Sequence, residues 1–143
     1  MEYKVAVIIP TLNEEKFIAR CLDSVIEQSY PFRDMDVMVV DGGSNDRTRE
    51  IVEEYGRKYI NIRFIHNSGR IQSIAFNIGV ENSDAPYIVR LDAHALYNKD
   101  YIEKCIAGLQ NDTQIGNVGG RCIILPFNDT LWANTTAILN YSR

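Results

Sequence analysis

Four short, largely apolar runs at residues 5–9, 36–40, 62–66 and 87–91 are each five residues long and are closed by Pro, Asp or Asn. Runs of that length and β-branched content predict strands buried on both faces. Between them the apolar spacing changes to the helical one. Over residues 15–28, Phe17, Ile18, Cys21, Leu22, Val25 and Ile26 recur at three and four, which predicts an amphipathic helix. A second helix is predicted over 46–57 with Ile51, Val52 and Tyr55 inward, and a third over 71–81 with Ile74, Ala75 and Ile78 inward. A fourth is expected over 99–109, followed by a strand over 120–125. The last segment, 128–143, sets Leu131, Trp132, Thr135, Ile138 and Leu139 on one helical face. An apolar face with nothing after it to cover it reads as a truncated chain or a homo-oligomer.

Strands alternating with helices imply an α/β fold with an open, mostly parallel sheet between two helical layers. In the commonest arrangement of such units the first and fourth strands lie side by side, and the crevice outside the carboxyl ends of the strands at that point takes the ligand. The polar segments PTLNEE, DGGSND and DAHA directly follow the first, second and fourth strands, so all three are expected to face one crevice.

Composition narrows the function. The 143 residues carry 15 Lys and Arg against 19 Asp and Glu, a net charge of −4, which argues against nucleic-acid binding. A chain of this length buries roughly 70% of its unfolded surface and needs no disulfide or structural metal for a core. The three cysteines, Cys21, Cys105 and Cys122, lack zinc-site spacing and read as buried thiols of a reducing compartment. No apolar run approaches the roughly 20 residues of a membrane span. The first residues lack the features of a signal peptide, so the expected location is cytoplasmic.

Neither G-x-G-x-x-G nor G-x-x-x-x-G-K-[ST] occurs, so a bound diphosphate would need another positive partner. A divalent cation held by Asp92 and His94 is one solution. Two apart after a strand, their side chains would point the same way in extended geometry. The same residues also read as a helix-starting Asp and a packed His. Asp41 closes the second strand and could accept hydrogen bonds from a ribose or base, or simply start the Asp-Gly turn. Arg90 either pairs with Asp92 or reaches an anionic ligand. Arg70, at a helix start, could meet phosphate or serve as an ordinary exposed helix-end residue. With two histidines and no G-x-S-x-G elbow, a serine hydrolase is disfavoured.

The stretches VAVIIPTLNEEKFIARCLDSV, VMVVDGGSNDRT and NSGRIQSIAFNIGVENSDAPYIVRLDAHALY resemble glycosyltransferase family 2, with its GT-A nucleotide-diphospho-sugar transferase fold. VVDGGS, RLDAHA and the later NVGG are most similar to succinoglycan-type exopolysaccharide glucosyltransferases. The resemblance implies that Pro10, Thr11, Asn13 and Glu14 line a uridine pocket, that Asp41 binds base or ribose, and that Ser44 and Asp46 border it. Asn77 matches the Asn of the family's A-R-N-x-G helix, whose Arg is Phe76 here; this departure makes Arg70 a candidate for the phosphate. Asp92 and His94 take the positions of the D-x-D pair that holds Mn²⁺ or Mg²⁺ on the diphosphate. An imidazole ligand favours Mn²⁺.

The resemblance further implies a donor-binding domain over residues 1–143 of a metal-dependent, inverting hexosyltransferase in exopolysaccharide or cell-surface glycan synthesis. The donor would be a UDP-sugar, with glucose the sugar that the nearest resemblance implies, and the acceptor a saccharide or lipid-linked saccharide at the inner face of the cell membrane. The resemblance places the family's catalytic base in an acceptor half expected to lie beyond these residues, so no residue is assigned to it. The competing reading is a non-catalytic nucleotide-sugar-binding or receiver-like module.

Overall fold

The computed structural model describes residues 3–120. Four parallel strands, β1 (Val5–Thr11), β2 (Met35–Asp41), β3 (Ile62–His66) and β4 (Tyr87–Arg90), form one sheet in the order β3-β2-β1-β4. Four α-helices lie in the described residues: α1 (Ile18–Ile26), α2 (Thr48–Lys58), α3 (Gln72–Glu81) and α4 (Tyr101–Asn111). The expected switch is present, since β2 and β3 extend to one side of β1 and β4 lies against its other side. The expected strand over 120–125 and the apolar face over 128–143 lie outside the described residues, Gly120 excepted.

Alternation along β1 and β2 divides the core into two layers. Val5, Val7 and Ile9 with Met35, Val37 and Val39 meet Ile18, Cys21, Leu22 and Val25 of α1, Val52 of α2, and Ile102 and Ile106 of α4. Ala6, Ile8, Met38 and Val40 face the other way, onto α3. That side is thinner. Ala75 and Gly79 are the buried positions of α3, and a Cβ on Gly79 would come within 2.6 Å of the Ile8 side chain. The helix therefore rests on β1 through its smallest residues, with Phe76, Ile78 and Val80 packed around that contact.

The helix starts differ from expectation. α1 begins at Ile18 rather than 15, because residues 15–17 form a turn in which Glu14 O accepts the N–H groups of Phe17 and Ile18. Ile74 is 37% exposed rather than inward, since Ala75 and Gly79 take the face that meets the sheet. β4 also departs from the expectation of burial on both faces: Val89 is buried, whereas Ile88 and Arg90 are exposed.

Two polar side chains stabilise the frame away from the crevice. Asp36, buried in β2, takes a two-pronged contact from Arg63 of β3, with Nε to Oδ1 at 2.9 Å and Nη2 to Oδ2 at 2.6 Å. Gln28, buried beyond α1, donates to Asn98 O and accepts the Ile102 N–H, satisfying one of the orphan donors at the start of α4.

Candidate donor-binding site

β1 continues through Pro10 to Thr11, two residues past its predicted end. Proline lacks a donor, and its position tolerates the loss. Ile8 O accepts the Leu91 N–H on the β4 side; Pro10 faces the same side, beyond the last β4 pair, Ile8 with Arg90. The strand thus carries Thr11 to the mouth of the sheet, beside Asp41 at the end of β2.

Asp41 is only 2% exposed, and hydrogen bonds engage both its oxygens. Oδ1 accepts from Thr11 Oγ1 at 3.2 Å and from the Ser44 hydroxyl, while Oδ2 accepts the N–H groups of Gly43 at 3.0 Å and Ser44 at 2.9 Å. Gly43 has φ +87°, a left-handed conformation that turns its N–H back onto the carboxylate. Asp41 therefore shapes the loop after β2.

A second set of contacts fastens that loop to the one after β1. Asn13, itself at φ 57°, donates its N–H to Ser44 Oγ and accepts the Asn45 N–H on Oδ1, both at 2.8 Å. Glu14 N–H reaches Thr48 Oγ1 at 2.8 Å, Glu15 N–H reaches Asp46 Oδ2 at 3.0 Å, and Arg47 N–H reaches Glu15 Oε2 at 3.0 Å. Asp46 Oδ1 accepts the Thr48 N–H at 3.0 Å and its hydroxyl at 2.6 Å. Burial opposes ionisation of Asp46, but the Thr48 hydroxyl and the backbone donors of Glu15 and Thr48 outweigh it and hold its carboxyl below the usual range.

A cleft of about 210 Å³ opens between the loop after β1, the turn after β3, the start of α3 and the segment after β4. Of the predicted residues, Pro10, Thr11, Glu14, Arg70, Asp92 and His94 line it. Asn13, Asp41, Ser44 and Asp46 stand behind it in the loop network, and Asn77 lies on the exposed side of α3, outside the lining. Asn67 and Gln72 also face the cleft, although no motif pointed to them. Asn67 is buried; its Oδ1 accepts the Gly69 N–H and its Nδ2 donates to Ile71 O, folding the turn that carries Arg70. Arg70 adopts φ 58° and is exposed, with no ion pair among the described residues.

Asp92 is held through its backbone. Its N–H donates to Tyr97 Oη at 2.6 Å, and its carbonyl accepts from Ala95 N–H at 3.1 Å and from Cys21 Sγ at 3.9 Å. The bond from Ala95 makes Asp92–Ala95 a turn, correcting the extended geometry expected from sequence; both Asp92 and His94 nevertheless face the cleft. Asp92 Oδ1 takes Arg90 Nη2 at 3.0 Å and Gln72 Nε2 at 3.5 Å, so Arg90 pairs with the carboxylate. His94 Nδ1 lies 3.0 Å from Glu14 Oε1. Burial first, and then the nearby carboxylates of Glu14 and Asp92, push the Cys21 thiol up to about 12.

The donor set fits a divalent cation shared with a diphosphate. Asp92 Oδ2 and His94 Nε2 carry no hydrogen bond among the described residues, leaving one oxygen and one nitrogen for a metal. No group of three or more His, Cys, Asp or Glu side chains able to hold a metal occurs among the described residues. Two protein ligands suit a cation whose remaining positions go to phosphate and water. The carboxylates of Glu14 and Asp92 would also repel a diphosphate unless a cation intervened.

The sequence pattern described as "Glycosyl transferase family 2" matches residues 6–142. The chain belongs to glycosyltransferase family 2. It is 33% identical over 122 residues to a dolichyl N-acetyl-alpha-D-glucosaminyl phosphate 3-beta-D-2,3-diacetamido-2,3-dideoxy-beta-D-glucuronosyltransferase of Methanococcus voltae, covering 81% of this chain and 38% of that protein. It is 35% identical over 102 residues to the succinoglycan biosynthesis protein ExoA of Rhizobium meliloti, covering 70% of this chain and 31% of that protein. Among solved structures, a mannosyltransferase of Pyrobaculum calidifontis in complex with GDP-Man and Mn²⁺ superimposes with a TM-score of 0.69 at 28% identity, over 76% of this chain and 33% of that one. TarS 1-349 of S. aureus in complex with UDP-GlcNAc gives 0.66 at 26% identity, over 85% of this chain and 38% of that one. These two structures share the α/β architecture described above. The chain spans well under half the length of these curated relatives. No helix among the described residues is long and apolar enough to cross a membrane.

Proposed function

We propose that residues 1–143 form the donor-binding domain of a metal-dependent glycosyltransferase that takes a UDP-sugar, with glucose the transferred sugar, and delivers it with inversion to a saccharide or lipid-linked saccharide acceptor in exopolysaccharide or cell-surface glycan synthesis. The observation that carries this reading is the convergence of Asp92, His94 and Arg70 with Pro10, Thr11 and Glu14 on one cleft at the carboxyl ends of β1 and β4. The GDP-Man and Mn²⁺ of the mannosyltransferase complex and the UDP-GlcNAc of the TarS complex support a nucleotide-sugar donor and a divalent cation. The succinoglycan protein supports the exopolysaccharide role.

In this reading Asp92 Oδ2 and His94 Nε2 hold the cation, and an imidazole ligand favours Mn²⁺ over Mg²⁺. The bound cation supplies positive charge against the charge that develops on the leaving diphosphate. Arg70 brings a second positive group to the same phosphates. Arg90 and Gln72 fix the Asp92 carboxylate from its Oδ1 side. Asp41 keeps the nucleoside-facing loop in shape, and Pro10 and Thr11 form the strand end against which the nucleoside rests.

Calorimetric titration of UDP, UDP-glucose and GDP, with Mn²⁺, with Mg²⁺ and with EDTA, tests the proposal. UDP and UDP-glucose are expected to bind with Mn²⁺ and to lose that binding with EDTA or in Asp92→Ala. Metal-independent binding, or tighter binding of GDP than of UDP, would overturn the corresponding part of the assignment.

A further inference from the structure

Glu14 and His94 stand 80 residues apart in sequence and meet at 3.0 Å across the cleft. Glu14 is well held: its N–H donates to Thr48 Oγ1, its carbonyl starts α1, and its side chain is only 18% exposed. His94 is 62% exposed, and no other hydrogen bond restrains its ring among the described residues. An ionised carboxylate accepts hydrogen bonds and cannot donate them, so Nδ1 must carry the proton at this contact. The neutral ring is then the Nδ1–H tautomer, with the lone pair on Nε2. Left unpaired, an exposed imidazole exchanges between tautomers, and one of them places a proton on the nitrogen a metal would need.

We propose that Glu14 is a positioning residue for His94, fixing the ring's tautomer and direction so that Nε2 is available as a ligand. The assignment rests on reading the cleft as a donor and metal site, and it gives the Glu14 carboxylate a different task from contact with the uridine. Carboxylate partners on the distal nitrogen of a ligating histidine hold the ring and raise its basicity, and removing one costs about 10- to 100-fold in metal affinity.

Two measurements on the full chain test this. The first is long-range ¹H–¹⁵N correlation of the histidine rings without metal, at a pH of about 8 where an ordinary imidazole is neutral. His94 should be the Nδ1–H tautomer in the native protein and revert to a mixture in Glu14→Ala. Glu14→Gln, whose amide oxygen still accepts, should restore it. The second is UDP binding supported by Mn²⁺ and, separately, by Mg²⁺, with free Mn²⁺ followed by its electron paramagnetic resonance signal. Glu14→Ala should weaken the Mn²⁺ complex about 10-fold and the Mg²⁺ complex much less, because Mg²⁺ draws chiefly on oxygen ligands. Equal losses with both metals would assign Glu14 to the nucleotide itself and overturn the proposal. An Nε2–H tautomer in the native protein, or unchanged Mn²⁺ affinity in Glu14→Ala, would also overturn it. Absence of UDP binding by the native chain with either metal would instead remove the donor-site reading, while the tautomer experiment would still judge the Glu14–His94 pairing.

Discussion

Ser44 meets the Asp41 carboxylate twice, through its N–H on Oδ2 at 2.9 Å and through its hydroxyl on Oδ1. The same Ser44 oxygen also accepts the Asn13 N–H, so one hydroxyl joins the ends of β1 and β2. Ser44→Ala should lower stability by about 1 kcal/mol, the net worth of an ordinary hydrogen bond. Asp41→Ala strands several donors at a buried position and should cost about 3 kcal/mol. Urea denaturation of both variants checks the ranking; equal costs would show that the carboxylate does not organise the loop.

Gly79 faces Ile8 so closely that an added methyl would lie within 2.7 Å of three of its side-chain atoms. Helix propensity favours alanine over glycine by about 1 kcal/mol, but overpacking at a fully buried strand residue costs about 1–3 kcal/mol. Gly79→Ala is therefore expected to destabilise by up to about 2 kcal/mol. In an Ile8→Ala background the same change should become neutral or stabilising, which a double-mutant cycle of thermal melts would reveal.

Arg70 holds φ 58°, which costs a residue with a Cβ about 1 kcal/mol. Arg70→Gly removes that strain while adding flexibility to the unfolded chain, so stability should change by less than about 1 kcal/mol. Metal-supported UDP binding should nevertheless weaken about 10- to 100-fold, as expected on losing a charged hydrogen bond worth about 1.5–3 kcal/mol. Calorimetry beside a thermal melt separates the two effects; intact binding would remove Arg70 from the phosphate site.

Cys21 ionises near 9.0 when unperturbed and is pushed up to about 12 in the fold, chiefly by burial and then by Glu14 and Asp92. Tyr97 rises from 10.0 to about 12, mainly through burial, while the Asp92 N–H opposes the shift and the Asp92 charge adds to it. Above pH 9 the unfolded thiol gives up its proton first, so the unfolded state binds fewer protons and stability falls as pH rises. The thiol's contribution is complete below pH 9 and is lost by about pH 12, a change of about 4 kcal/mol. Denaturation across that range should show a shallower alkaline decline for Cys21→Ala than for the native chain, whatever its offset at neutral pH. Tyr97→Phe should flatten the curve only above pH 10.

Much of the fold is legible in the sequence because parallel strands covered on both sides read as unbroken apolar runs, as at Val37 to Val40. The same rule misled at β4, whose Ile88 and Arg90 are exposed. The cleft was legible where a residue type announces its chemistry, as with Asp92, His94 and Arg70. It was hidden where contacts join distant backbone groups: nothing in the spacing of Asn13, Ser44 and Asp46 reveals that they fasten two loops about 30 residues apart. The task of Asn67 was equally hidden, although its place before a Ser-Gly pair is a turn signal. The extended spacing assumed for Asp92 and His94 failed because the bond from Ala95 N–H bends the chain between them.

The network joining residues 13–15 to residues 44–48 bears on affinity as well as shape. Ordering a free loop around a ligand consumes part of the interaction energy as lost conformational entropy, about 1–2 kcal/mol for each backbone residue fixed. Here that ordering is completed during folding. The wall built by the loop after β1, backed by the loop after β2, therefore meets an incoming molecule as a rigid template, and contacts with it translate into residence time instead of being consumed in assembling the wall.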